Sequence, residues 1–349
     1  MKAAAHTTLY RQYRPQHFSE VRGQGQVTDV LQKAIANKKI AHAYLFAGPR
    51  GTGKTTVARI LARELGVSDK DLYEIDAASN TGVDNIRELR EAVNTVPFES
   101  PYRFYIIDEA HMLTRNAWNA FLKTLEEPPA HVLFVMATTE RDKIPETIQS
   151  RCEIYTFRQP TRQMLADTMI DVGKSEGYAL ERPAAELIAL LAEGSFRDAL
   201  SVLQKVLAVS SGKKVNLAAV EEVSGAPRGE LVRRIVEALA NKDAAAALSV
   251  IRKTTEENMD ARVLAKLLIY RMRVVLLARF APDLAEELSE ELTEADTELV
   301  RTLSKNTAVN SDMLRTLLEA HSQMAYAALP HLPLELAVID ICAKREKSA

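Results

Sequence analysis

Residues 48–55 read Gly48-Pro49-Arg50-Gly51-Thr52-Gly53-Lys54-Thr55, which fits the spacing G-x-x-x-x-G-K-[ST]. Before it stands the apolar run Ala43-Tyr44-Leu45-Phe46-Ala47, suited to a buried strand. After it, Val57, Ala58, Ile60, Leu61 and Leu65 recur at helical spacing. Strand, glycine loop and helix in that order leave few folds open. The glycines let successive backbone N–H groups turn inward around phosphate oxygens. The following helix directs its N-terminal dipole at the same place. Lys54 adds a point charge for the β- and γ-phosphates, and the Thr55 hydroxyl is a Mg²⁺ ligand. An ordinary glycine-rich turn would leave Lys54 and Thr55 without a purpose.

Alternation continues around this loop. Strands are expected at 43–47, 73–76, 103–107, 131–137 and 154–157, with helices at 54–65, 83–96, 115–125 and a short piece near 146–150. Such alternation argues for a parallel sheet wrapped by helices. Beyond about residue 160 the strand signals stop, and helical periodicity runs through 164–173, 184–192, 196–209, 230–240, 244–255, 262–280, 299–303 and 313–329. Asn241 is a candidate left-handed cap for the helix before it. Three parts are expected: an α/β nucleotide domain at 1–158, a helical lid at 159–224 and an all-helical domain at 225–349.

Several side chains at predicted strand and helix ends suit phosphate chemistry. Phe104-Tyr105-Ile106-Ile107 leads into Asp108 and Glu109. Asp108 suits the metal, and Glu109 suits general-base action on water. His111 completes D-E-x-H and reads as a polar contact. At the next strand tip, Thr138 or Thr139 could bond the γ-phosphate or the lytic water; Thr139 is favoured. Arg151, in Ser150-Arg151-Cys152, is poorly placed for its own phosphates but suits those of a neighbouring subunit; a surface salt bridge is the other reading. Arg197 opens a helix after Gly194-Ser195-Phe196, where it could swing onto nucleotide or pair with Asp198. Tyr10, Pro15 and Val21 belong to a leader that either walls an adenine pocket or is a packed arm.

The 349 residues carry 45 Lys+Arg against 47 Asp+Glu, a net charge of −2. That does not suggest a chain that grips nucleic acid through bulk charge alone, and it leaves room for a local basic face. The two cysteines, Cys152 and Cys342, are too few for a four-cysteine zinc site. No run of about 20 apolar residues suggests a membrane span, and no apolar signal core opens the chain, so a cytoplasmic location is expected. An acidic block, 283–298, places Leu284, Leu288 and Leu292 on one helix face; it reads as a solvated face or a surface for a basic partner.

Together these residues resemble the AAA+ ATPases of the clamp-loader clade, most closely the gamma/tau family of the bacterial DNA polymerase III holoenzyme. The segments that carry the likeness are Tyr13-Arg14-Pro15, Val21-Arg22-Gly23-Gln24, Gly48–Thr55, Glu74–Ser79, Asp108–Leu113, Leu122–Pro129, Ser150-Arg151-Cys152 and Gly194–Leu200. The resemblance implies an ATPase that uses ATP and Mg²⁺ to load a sliding clamp on primer–template DNA. It implies a heteropentameric ring of clamp-loader subunits held by the helical collar, with ATP between neighbours. It makes Lys54, Asp108, Glu109, Thr139, Arg151 and Arg197 the catalytic set, with Arg151 reaching across the seam. Tyr10, Pro15, Val21, Gly48, Pro49, Arg50, Gly51, Thr52, Gly53, Lys54, Thr55, Thr56 and Arg197 would bind nucleotide, and Thr55 and Asp108 the metal.

The sequence departs from the family at two places. Leu65-Gly66-Val67-Ser68-Asp69-Lys70-Asp71-Leu72 stands where the family inserts a four-cysteine zinc loop, so no zinc is expected. The sequence given ends at Ala349, so a gamma-like form rather than one with the long tau tail is expected. DNA contact is expected through backbones, with Asn80-Thr81-Gly82 and Arg115-Asn116 as candidate surfaces. A non-hydrolysing clamp-loader subunit, or another AAA+ remodeller or helicase, is the alternative. No polymerase activity of the chain itself is expected.

Overall fold

The computed structural model describes residues 8–79, 91–210, 212–284 and 292–343. Five short strands, β1 (Ala43–Ala47), β2 (Leu72–Asp76), β3 (Arg103–Asp108), β4 (Val132–Thr138) and β5 (Glu153–Thr156), form one sheet in the order β2-β3-β4-β1-β5. Every pairing is parallel. Ala47 stands opposite both Thr138 and Thr156, and Ile107 stands opposite Met136. The carboxyl ends of β1, β3 and β4 therefore finish along one edge, the edge at which open parallel sheets bind ligands.

Near-continuous apolar sequence is what a sheet covered on both faces requires. Tyr44, Phe46, Phe104, Ile106, Leu133 and Val135 pack on one face with the helices Gly25–Ala36 and Lys54–Glu64, through Val27, Leu31, Val57, Ile60 and Leu61. Leu45, Tyr105, Ile107, Phe134 and Met136 pack on the other with the helix Arg115–Glu126, through Ala117, Trp118, Phe121 and Leu125. Phe121 meets Phe134 edge-on at 5.0 Å, and Tyr105 stacks on Phe134 at 5.4 Å. These contacts fix the strands, and so the strand tips, in place.

The chain divides into two compact units, Met1–Thr168 with Ala192–Ser201, and Met169–Leu191 with Val202–Ala349. The second is mainly helical. Helices at Gly229–Ala240, Ala244–Glu256, Ala261–Phe280, Glu294–Ser304, Ser311–Gln323 and Leu332–Ala343 share one core that includes Ile235, Leu239, Leu268, Met272, Leu317 and Val338. Asp243, Asp260, Thr293 and Asn310 cap four of them by accepting first-turn amides. Asp296 is buried and accepts from Arg271 at 2.7 Å and Arg233 at 3.2 Å. Arg279 ties the turn after Ser304 by donating to the carbonyls of Leu303, Ser304, Asn306 and Val309.

Four expectations from the sequence need correction. Asn241 is not left-handed; the residue after it, Lys242, takes that conformation at φ 55°. The helix expected to reach residue 329 stops at Gln323, and Leu332–Ala343 forms a further helix that periodicity did not signal. Strand does not end at residue 160, because Ala179–Leu180 pairs in parallel with Lys214–Val215. Of the helix expected at 83–96, residues 91–93 are helical and 94–96 are not. Residues 80–90, which include the candidate DNA contact at 80–82, and residues 285–291 of the acidic block lie outside the described residues. Among the described residues no helix is long and apolar enough to cross a membrane.

Candidate functional site

The loop at the tip of β1 is held by its neighbours on both sides. Gly48 N–H donates to Thr138 O at 3.1 Å, and Phe157 N–H donates to Ala47 O at 2.7 Å. Gly53 sits at φ 99° and starts the helix Lys54–Glu64. That left-handed residue turns the chain from loop into helix, and glycine takes it without steric cost. Thr52 is buried and its hydroxyl donates to Pro49 O at 2.9 Å. Lys54 is also buried, and its ammonium donates to Gly48 O at 2.7 Å and Pro49 O at 2.8 Å. Burial pulls that ammonium below its ordinary pKa, while the Glu109 and Asp108 carboxylates oppose the shift.

The acidic pair closes the site from β3. Thr55 Oγ1 donates to Asp108 Oδ2 at 2.8 Å, bringing a hydroxyl and a carboxylate together from residues 53 apart in sequence. Two hard oxygen donors fit Mg²⁺, which ordinarily takes one or two carboxylates and fills its other positions with phosphate and water. Asp108 Oδ1 accepts the Glu109 amide at 3.0 Å. Glu109 is left-handed, φ 48°, a strained conformation for a non-glycine residue and one that redirects its carboxylate at the strand tip. Thr139 Oγ1 donates to Glu109 Oε2 at 3.3 Å.

Of the two candidate threonines, Thr138 is fully buried and takes a different role. Its Oγ1 lies 3.1 Å from His111 Nδ1 and accepts the Glu140 amide at 3.0 Å. His111 is wedged between Glu109, 3.5 Å away, and Glu140, 3.3 Å away. It is a polar strut behind the acid, the polar contact read for it in D-E-x-H.

Arg197 lies over the Tyr10 ring, its guanidinium carbon 5.0 Å from the centroid, a cation–π arrangement. Phe196 N–H donates to Gly51 O at 3.1 Å, so the start of the Phe196–Val209 helix is bonded to the phosphate loop itself. Pro15 is half-buried, and Val21 packs against the core cluster that includes Phe18 and Phe157. Pro49 and Arg50 are exposed at the loop's rim, and Thr56 is half-buried one residue into the helix. Arg151 engages a separate set of groups: Glu126 Oε1 at 2.6 Å, Thr147 O at 2.6 Å and Ser150 Oγ at 3.3 Å. The surface ion pair weighed as its second reading is thus present. Burial pushes the thiol of its half-buried neighbour Cys152 up to about 12, and Sγ–H donates to Ile148 O at 3.1 Å.

Three supporting residues were not singled out from sequence, although each lies in a quoted segment. Gln24 is fully buried; its amide donates to Arg158 O at 2.7 Å and its oxygen accepts Arg158 N–H at 3.1 Å, which pins the chain leaving β5. Ser195 packs directly on Gly51. Arg14 is half-buried; burial first, then the like charge of Arg59, pull its guanidinium below the ordinary value, with Glu74 opposing. Arg59 is itself paired to Glu74. A concentration of cations beside the loop suits a polyanion. Spacing alone could not reveal these roles, because each depends on a partner far away in sequence.

This strand order, with the phosphate loop on β1, the acids on β3 and a polar tip on β4, defines the AAA+ class of P-loop proteins. The same fold is found in the Thermotoga maritima RuvB Holliday junction branch migration motor, at a TM-score of 0.53 and 23% identity over 65% of this chain and 79% of that one. Family models match the chain in succession. "DNA polymerase III, delta subunit" covers residues 23–74 and 66–161, "DNA polymerase III clamp loader subunit, ATPase lid domain" covers 165–212, and "DNA polymerase III subunits gamma and tau domain III" covers 215–348. DNA polymerase III subunit tau of Bacillus subtilis is 37% identical over 99% of this chain and 65% of its own length. The tau subunit of Escherichia coli is 32% identical over 96% and 55%. The gamma/tau subunit of Mycobacterium tuberculosis H37Rv is 40% identical over 79% and 52%. The chain belongs to the gamma/tau family of clamp-loader AAA+ subunits. It spans between 52% and 65% of the length of these relatives.

Proposed function

We propose that the chain is an ATP-hydrolysing subunit of a bacterial clamp loader, working with other clamp-loader subunits to place a sliding clamp on primer–template DNA. The observation that carries the reading is the Thr55–Asp108 contact at 2.8 Å, with Lys54 and Glu109 beside it, in a chain of this family.

On this reading the loop amides from Gly48 to Thr55 receive the phosphates, and Lys54 exchanges its bonds to Gly48 O and Pro49 O for β- and γ-phosphate oxygens. Thr55 and Asp108 would hold Mg²⁺, which supplies charge neutralisation at the phosphate oxygens when bound. Glu109 takes the proton of the attacking water, and Thr139, already bonded to Glu109 Oε2, orients that water against the γ-phosphate. Tyr10, Pro15 and Val21 flank the base. Arg197 leaves its stack on Tyr10 for the phosphates and so reports nucleotide to the helix that follows it. Arg151 serves the nucleotide of an adjoining subunit.

Phosphate release by the complex, assembled with clamp and primed DNA, tests the reading. The wild-type chain should turn over ATP in a DNA-stimulated manner and load clamp, and Lys54→Ala should abolish both. Turnover that Lys54→Ala leaves intact, or strand separation with no dependence on clamp, overturns it.

A further inference from the structure

Arg151 is held from two directions. Its NH1 donates to Thr147 O at 2.6 Å, within the short helix Glu146–Gln149, and contacts Ser150 Oγ at 3.3 Å. Its NH2 donates to Glu126 Oε1 at 2.6 Å. Glu126 is the last residue of the helix Arg115–Glu126. That helix is a rigid base: Thr114 caps its start by accepting the Ala117 amide, and Trp118, Phe121 and Leu125 are anchored in the core under the sheet.

The pair is too exposed to matter for stability. The side chains of Arg151 and Glu126 retain 33% and 47% of their accessibility, and ion pairs so placed contribute about 0–1 kcal/mol. Its effect lies in the choice of rotamer. A free arginine carries about 2 kcal/mol of side-chain entropy that must be lost when it docks on a phosphate. Here the three bonds to Thr147, Ser150 and Glu126 engage three of the five guanidinium N–H groups, so the plane is fixed while donors remain for an oxyanion.

We propose that Glu126 is the positioning residue for Arg151: it holds the guanidinium preformed, so that assembly presents an oriented fork to the neighbouring subunit's nucleotide. The inference rests on the trans role of Arg151 proposed above. Glu126 touches no substrate and acts through the arginine alone.

The test is steady-state phosphate release by the assembled complex, with clamp and primed DNA, for Glu126→Ala, Glu126→Gln, Arg151→Ala and the double variant Glu126→Ala with Arg151→Ala. Glu126→Ala should lower kcat by about 10-fold at unchanged KM for ATP, well short of the ~10³-fold or more expected for loss of the arginine itself. Glu126→Gln keeps an acceptor oxygen at the same reach and should recover most of the rate. In the Arg151→Ala background, Glu126→Ala should change nothing further. Wild-type or raised kcat for Glu126→Ala overturns the proposal, as does an equal loss in both backgrounds, which would mark a general structural role. Normal turnover by Arg151→Ala is a different result: it removes the trans reading on which the inference stands.

Discussion

Replacing Gly51 with alanine tests the phosphate loop at a single methyl group. Gly51 has φ +72°, and a Cβ built there would lie 1.9 Å from Ser195 Oγ, 2.7 Å from Ser195 Cβ and 3.1 Å from Ser195 Cα. The left-handed backbone costs alanine about 1–2 kcal/mol. Ser195 is buried, and its hydroxyl accepts the Asp198 amide at 3.2 Å at the start of the Phe196–Val209 helix. Turning the hydroxyl aside forfeits that cap, about 1 kcal/mol, and does not relieve the approach to Cβ. Gly51→Ala should therefore destabilise its unit by about 3 kcal/mol. Ser195→Gly removes both overlapping atoms, and glycine at a cap costs only a few tenths of a kcal/mol. In that background the alanine should cost only its backbone strain, so the two changes couple by about 1 kcal/mol or more. The assay is urea unfolding followed by the fluorescence of Trp118, the chain's one tryptophan, which is buried in the same unit as Gly51 and Ser195. An unchanged midpoint for Gly51→Ala, or an equal cost with and without Ser195→Gly, would falsify the contact as the reason for glycine here.

Glu109→Gln should retain nucleotide binding in a fluorescent-nucleotide titration yet slow phosphate release by about 10²–10⁴-fold; weakened binding with normal turnover contradicts the base assignment. Asp71 is buried. Burial alone would raise its carboxyl, but the amides of Glu99, Phe98 and Ser100 outweigh that and hold it at about 2 against an ordinary 3.8. A depressed carboxyl stabilises the fold above its unfolded value, so this contribution is full above about pH 4 and fades as pH falls toward 2. Asp71→Asn should cost about 2 kcal/mol or more at pH 7, and its disadvantage should shrink over that acid window when Trp118 unfolding midpoints are compared. Cys152, with its thiol pushed up to about 12 by burial, should resist a disulfide reagent at pH 8 until the chain is unfolded; rapid labelling of native protein at this residue contradicts the burial.

Much of the nucleotide unit is legible in the sequence because its signals are local. The three central strands, β1, β3 and β4, are apolar runs that no helix of ordinary amphipathicity would carry, and the glycine loop needs only its own eight residues to be read. The helix Leu332–Ala343 shows the opposite case. Its only charged residues, Glu335 and Asp340, stand among apolar ones, and it contains Pro333, so it has neither a broad polar face nor an uninterrupted periodicity. Proline in a first turn loses no hydrogen bond, and burial of Leu334, Ala337, Val338 and Ile341 against the other helices supplies the stability. At the site, Lys54, Thr55, Asp108 and Glu109 could be named from spacing. The roles of Gln24, Ser195 and Glu126 could not, since their partners Arg158, Gly51 and Arg151 lie between 25 and 144 residues away. Asn241 and Lys242 differ in which residue takes the left-handed turn, a distinction of backbone geometry that residue type alone does not decide.

The position of β4 between β3 and β1 has a consequence for synthesis. As the chain emerges, the glycine loop and both acids are complete by Glu109, yet the strands that bear them are not neighbours. Only when Val132–Thr138 slots between them do Thr55 and Asp108 have a fixed separation. A nascent chain on the ribosome therefore carries Lys54, Asp108 and Glu109 for some thirty residues before the strand that sets their separation has been made.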